Sequence, residues 1–114
     1  MDRFLIVARM SPSSEKEVAR LFAESDEGTE LPEVAGTVSR SLLSFHGLYF
    51  HLTEVEESTD RTLNGIHEHP EFVRLSRQLS GHVQAYDPKT WRSPADAMAR
   101  EFYRWEAGTG VVRR

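Results

Sequence analysis

Apolar and polar residues alternate most clearly between Gly36 and Glu54, in the run GTVSRSLLSFHGLYFHLTE. Val, Leu, Phe, Tyr and Thr favour pleated, half-buried surfaces. At His46-Gly47 the run is broken by a residue that tolerates the positive φ of a tight turn. Two strands joined by a two-residue turn are therefore predicted. Pairing Phe45 with Leu48 sets Ser44 against Tyr49, Leu42 against His51 and Arg40 against Thr53. Successive side chains point to opposite faces. One face then carries Arg40, Leu42, Ser44, Tyr49, His51 and Thr53. The other carries Ser39, Ser41, Leu43, Phe45, Leu48, Phe50 and Leu52, and is dry from its middle to the turn. On the first face, a guanidinium and an imidazole are costly to bury without partners. Arg40 and His51 are diagonal neighbours there, within reach of one bound molecule. A one-residue slip of the turn would put them on opposite faces.

The flanking pattern supplies the rest of a domain. Phe4 to Met10 is a nearly continuous apolar run, as in a strand buried on both faces. Ser11-Pro12 reads as a helix start, with Val18, Leu21, Phe22 and Ser25 as the inward stripe of a helix ending near Glu24. Ser25 to Pro32 reads as a loop carrying Asp26, Glu27 and Glu30, whose plainest role is to be solvated. Ser58 or Thr59 caps a further helix with Leu63 and Ile66. Pro70 restarts it behind a His69 cap, with Phe72, Leu75 and Leu79 inward and Gly81 at its end. His82 to Tyr86 reads as a short strand, and Pro88 to Met98 as loop with one helical turn after Ser93-Pro94. Glu101 to Ala107 reads as a closing strand with Tyr103 and Trp105 on one face. Residues 1–107 form one domain on this reading, and 108–114 a flexible tail. Strand, helix, strand, strand, broken helix, strand is the order of an α+β ferredoxin-like split βαβ fold, with a four-stranded antiparallel sheet and helices on one face. The dry hairpin face would then be bare, which is improbable on a monomer. It predicts a two-fold homodimer, with Arg40, Tyr49 and His51 lining a hollow between sheet and helices.

Charge and composition narrow the function. In 114 residues, the net charge of −4 and the lack of any basic run beyond Arg113-Arg114 argue against nucleic acid. The chain has no cysteine, which excludes disulfides and thiolate metal sites. No stretch suits a signal peptide or a membrane span, so a cytoplasmic protein is expected. His67, His69 and His82 raise a metal reading, but their spacing falls short of a three- or four-ligand set, and no metal is expected.

Several separated motifs, in order, resemble the small aromatic polyketide cyclases of the tetracenomycin F2 cyclase type. They are Arg9-Met10, Thr29-Glu30-Leu31-Pro32, Arg40 followed by Phe45 to Leu52 (FHGLYFHL), His69-Pro70-Glu71-Phe72, and Glu101 to Trp105 (EFYRW). Tyr86 to Ala99 is more similar to the spore-pigment branch. The resemblance implies a dimeric α/β barrel without cofactor. The reaction it implies is an intramolecular aldol closure and dehydration of a poly-β-ketone, or of a partly cyclised intermediate. Whether the substrate arrives free or on an acyl carrier protein is left open. The family's proposed active-site residues fall on Asp26, Arg40 and His51. Ser25 departs from the tetracenomycin enzyme, which has a His before the Asp.

In such chemistry, His51 would be a base or acid titrating near neutrality. Arg40 would hold the enolate or carbonyl oxygen, and Asp26 would orient His51 or share proton transfer. Tyr49, Trp91, Tyr103 and Trp105 could pack along a flat polyketide. The plainer alternatives stand beside these. A strand histidine is more often a hydrogen-bonded core residue, Arg40 could simply pair with an acid of the 25–30 segment, and the aromatic residues could be core. Two other functions share the architecture: a cofactor-independent anthrone-type monooxygenase, and a non-catalytic, chaperone-like subunit that steers polyketide folding.

Overall fold

The computed structural model describes residues 2–56, 68–92 and 94–113. Strand β1 spans Asp2–Met10, β2 Thr37–Phe45, β3 Leu48–Val55 and β4 Val83–Ala85. They form one four-stranded antiparallel sheet in the order β2-β3-β1-β4. That order is the ferredoxin-like one, in which each crossover helix packs on the same face. Helices α1 (Glu15–Gly28) and α3 (Pro70–Leu79) lie on that face, and a short α2 (Leu31–Ala35) bridges α1 to β2. The predicted helix carrying Leu63 and Ile66, with its cap at Ser58 or Thr59, lies outside the described residues.

The hairpin register is the one the alternation predicts: Arg40 faces Thr53, Leu42 faces His51, Ser44 faces Tyr49 and Phe45 faces Leu48. His46 (φ 48°) and Gly47 (φ 79°) are both left-handed. Two consecutive left-handed residues match the twist of the strands they join. A register shift between Thr37, which pairs with Val55, and Ser39, which pairs with Glu54, leaves Val38 unpaired in the ladder. On β1, Ile6 stands opposite His51 and Ala8 opposite Tyr49. Ala8, Met10, Val18, Leu21, Phe22, Tyr49 and Leu75 make the buried core between sheet and helices.

Two boundaries differ from the sequence reading. Helix α1 continues to Gly28, so Asp26 sits on its last turn and not in a loop. Nothing before Gly28 breaks the helix, and buried Ser25 continues its inward stripe. The turn after it is closed by Thr29, whose hydroxyl donates to the Ser25 carbonyl (2.7 Å) and accepts from the Leu31 N–H (3.2 Å). Second, the closing strand is only Arg104–Glu106 (β5), and it leaves the main sheet. It pairs instead with β6, Gly110–Arg113, so residues expected to belong to a structureless tail form half of a two-stranded ribbon. The positive φ of Gly108 and Gly110 turns the chain back on itself. The expected helical turn near Pro94 is present, as a 3-10 turn, Pro94–Ala97. After it Met98 bridges Ile6 at the edge of β1, beyond the reach of short β4.

The sheet's other face carries Leu5, Val7, Leu43, Phe45, Phe50 and Leu52. Leu43 and Phe45 are 52% and 63% exposed.

Candidate active site

The mixed face of the hairpin looks into a hollow of about 560 Å³. The floor is sheet: Phe4 and Ile6 from β1, and Tyr49, His51 and Thr53 from β3. The roof is helix: Phe22, Leu31, Phe72, Leu75 and Leu79, with Trp91 and Met98 at the β4 side. An apolar hollow with few polar groups suits a flat organic ligand held in one orientation.

The polar groups form a chain. Arg40 donates from Nε to both Asp26 oxygens (3.2 and 3.0 Å) and from Nη2 to Oδ1 (2.9 Å). Its Nη1 lies 2.8 Å from Nε2 of His51, and the Thr53 hydroxyl lies at the same distance from that nitrogen. A guanidinium can only donate, so Nε2 of His51 is an acceptor and the ring proton sits on Nδ1. Phe22 holds both groups: its ring meets His51 edge-on at 5.1 Å, and the Arg40 Cζ lies 5.1 Å from its centre.

Asp26 contacts Arg40, not His51, and is absent from the cavity lining. Its carboxylate holds the guanidinium in place. His51 does not titrate near neutrality. Burial, then the adjacent Arg40 charge, push its pKa down to about 4, against a weaker opposite pull from Asp26. The imidazole is therefore neutral across the physiological range. Burial also pushes the Tyr49 phenol well above its usual range, so it stays protonated.

The predicted aromatic contacts divide. Tyr49 and Trp91 line the hollow. Tyr103 and Trp105 do not: both are 57% exposed and lie on or beside the separate β5–β6 ribbon. Ser44, on the hairpin's cavity-side face, is exposed and bonds Glu15 outside the hollow. His69 caps α3, its Nδ1 accepting from the Glu71 N–H (3.1 Å). His82 meets the Ser14 hydroxyl, His67 lies outside the described residues, and no group of three metal-binding side chains occurs among the described ones. Phe22 and Thr53 had no place in the predicted site. Thr53 was findable from the register, since it faces Arg40. Phe22 was visible only as one of a helix's inward residues.

Replacing Asp26 with Ala strands the Arg40 charge, whose side chain is only 15% exposed. Breaking a fully buried pair costs more than this one, because Asp26 is about a third exposed, so a loss of about 2 kcal/mol is expected in urea unfolding. Adding Arg40→Met to Asp26→Ala should recover part of it. No recovery in that cycle would mean the pair does not shield a buried charge.

An open-faced α+β sandwich with an apolar hollow and one arginine-centred polar chain at its wall defines a small-molecule binding protein of the ferredoxin-like class. The sequence model for polyketide synthesis cyclases matches residues 2–106, and this chain belongs to that family of enzymes. It is 51% identical to the uncharacterised protein SCO5314 of Streptomyces coelicolor (93% of this chain, 96% of that one). It is 45% identical to polyketide synthase CurG of Streptomyces cyaneus (93% and 98%). Tetracenomycin F2 cyclase of Streptomyces glaucescens is 36% identical (92% and 94%). The solved structure of that type-II polyketide cyclase superposes with a TM-score of 0.83 over 94% of this chain and 99% of its own, at 34% identity. An antibiotic biosynthesis monooxygenase shares the fold, with a TM-score of 0.51 at 17% identity over 71% of this chain and 84% of its own.

Proposed function

We propose that the protein catalyses a regiospecific intramolecular aldol condensation and dehydration on a poly-β-ketone or partly cyclised aromatic intermediate. The observation that carries this reading is Arg40, held by Asp26 and bonded to His51 in the wall of an apolar hollow. A methylene between two carbonyls loses a proton readily once its enolate oxygen is stabilised. The larger task is choosing which carbon meets which carbonyl, and fixing one conformer can contribute roughly 7–11 kcal/mol. Arg40 binds the oxygen on which negative charge develops. His51 works as a neutral imidazole. Its Nε2 accepts the carbon-bound proton when Arg40 turns Nη1 to the substrate oxygen, and Nδ1–H can donate toward the aldol alkoxide. His51 then takes the second proton from the attacking carbon and returns a proton to the hydroxyl, which leaves as water as the ring double bond forms. No step changes an oxidation state, so the reaction needs no redox cofactor. Tyr49 and Trp91 pack along the flat chain.

The apolar sheet face supports a homodimer as the working unit. Phe45→Glu together with Leu43→Glu should yield monomers by sedimentation equilibrium. Dimers that persist would mean that this face is not the interface. A cytoplasmic setting fits a substrate made by soluble synthases, and delivery by an acyl carrier protein is compatible with an open cavity.

The experiment is product analysis. The protein is added to a minimal polyketide synthase, and the ring pattern of the products is compared with that from a double Arg40→Met, His51→Gln variant. An unchanged pattern removes the assignment. Oxygen uptake with an anthrone would instead reveal a monooxygenase, for which only the shared fold speaks. A purely shape-guiding subunit would tolerate the double variant and fail when the hollow is filled, for example by Ala35→Phe.

A further inference from the structure

The chain as a whole is acidic, with a net charge of −4. Its hollow is not. Among the described residues that line it, there is no carboxylate, and the cationic side chains are Arg40 and Arg92. The two differ in their surroundings. Asp26 neutralises Arg40 by a two-pronged contact. Arg92 has its main-chain N–H bound by the Asp96 carboxylate (2.8 Å), and its side chain is exposed at the rim. Asp96 lies in the wall of a neighbouring cavity and not of this one.

Position separates them as well. Arg40 is on β2, at one edge of the sheet, and Arg92 follows β4, at the other. Both nevertheless line the same hollow. Between β2 and β4 the floor carries Tyr49, His51 and Thr53 from β3 and Phe4 and Ile6 from β1. A ligand lying across this floor meets one arginine whose charge is already balanced, and a second that is exposed at its far end. We infer that Arg92 binds an anionic group at the end of the substrate remote from the reacting carbons. That chemistry has two sources: the terminal carboxylate of a free polyketide acid, or the phosphodiester of a carrier-bound thioester. The inference rests on the cavity assignment under Proposed function.

Four fluorescent probes test it by direct titration of the full chain. They are anthracene-2-carboxylate and its methyl ester, and the anthracene-2-carbonyl thioesters of phosphopantetheine and of unphosphorylated pantetheine. The wild type should bind the anionic member of one pair roughly tenfold more tightly than its neutral counterpart, as a charge-assisted contact predicts. The pair that shows the preference identifies the source. Arg92→Gln should erase that preference while leaving the neutral probe's affinity unchanged, which also shows that the variant is folded. Arg92→Lys should keep most of it. Equal binding within both pairs, or a preference that survives Arg92→Gln, overturns the assignment and leaves the cavity reading intact. If no probe binds at all, the cavity reading fails and the Arg92 assignment falls with it.

Discussion

Arg40→Met should lower kcat/KM for ring closure by about 10²–10³, the usual cost of removing a donor aimed at developing oxyanion charge. Met keeps most of the side chain's volume, so the loss reports the charge and its N–H groups. Arg40→Lys should not restore activity. A single ammonium cannot reach the Asp26 carboxylate, Nε2 of His51 and a substrate oxygen together, as the planar fork does. A second readout comes from His51. Removing the neighbouring positive charge should raise its pKa from about 4 but not to the ordinary 6.5, because burial, the larger cause, remains. Imidazole resonances followed by NMR would show it. If Arg40→Met retains near-wild-type kcat/KM, the enolate is stabilised elsewhere and Arg40 is only a structural partner of Asp26.

Stability should fall on the acid side of neutrality through the same imidazole. Folding favours neutral His51, since its pKa drops from 6.5 to about 4. Above the unfolded value both states are neutral and the native state has its full stability. Between the two values the unfolded chain takes up a proton that the native one does not, so stability declines as pH falls. Below the folded value the difference has been spent and the decline from this group stops. The shift corresponds to a loss on the order of 3 kcal/mol between pH 7 and pH 4. Carboxylates contribute in the same range, so the measurement is a difference. Urea unfolding of the wild type is compared with His51→Gln, whose carbonyl can still accept from Arg40 but does not titrate. The wild type should lose more stability than the variant across this window. Parallel curves would mean that His51 has the same pKa folded and unfolded.

Much of the site was legible in one segment of sequence. A strand has a strict two-residue period, and a His-Gly turn leaves few registers. Together these put Arg40, Tyr49, His51 and Thr53 on one side before any coordinates. The split βαβ order followed from the same reasoning, because a long apolar strand, an amphipathic helix and a hairpin have few ways to cover one another. The closing segment was misread for a related reason. Tyr103 and Trp105 alternate as a strand should, but alternation does not say which strand is the partner. Pairing within the 104–113 ribbon took them away from the hollow. Asp26 was placed in a loop because acids and a nearby Gly look the same in a loop and in the last turn of a helix.

The sequence alone thus determined the local periods: which residues extend, which coil, and which side of the hairpin carries the polar pair. Protonation state and partnership were decided only by the tertiary structure. Docking α1 over β2 brings Asp26 and Phe22 onto Arg40, ties Arg40 to His51, and removes the water that would keep the imidazole near neutrality. The physical reason is distance: electrostatics and desolvation depend on through-space neighbours, and these are brought together from Phe22 to Thr53, a separation that no local pattern spans.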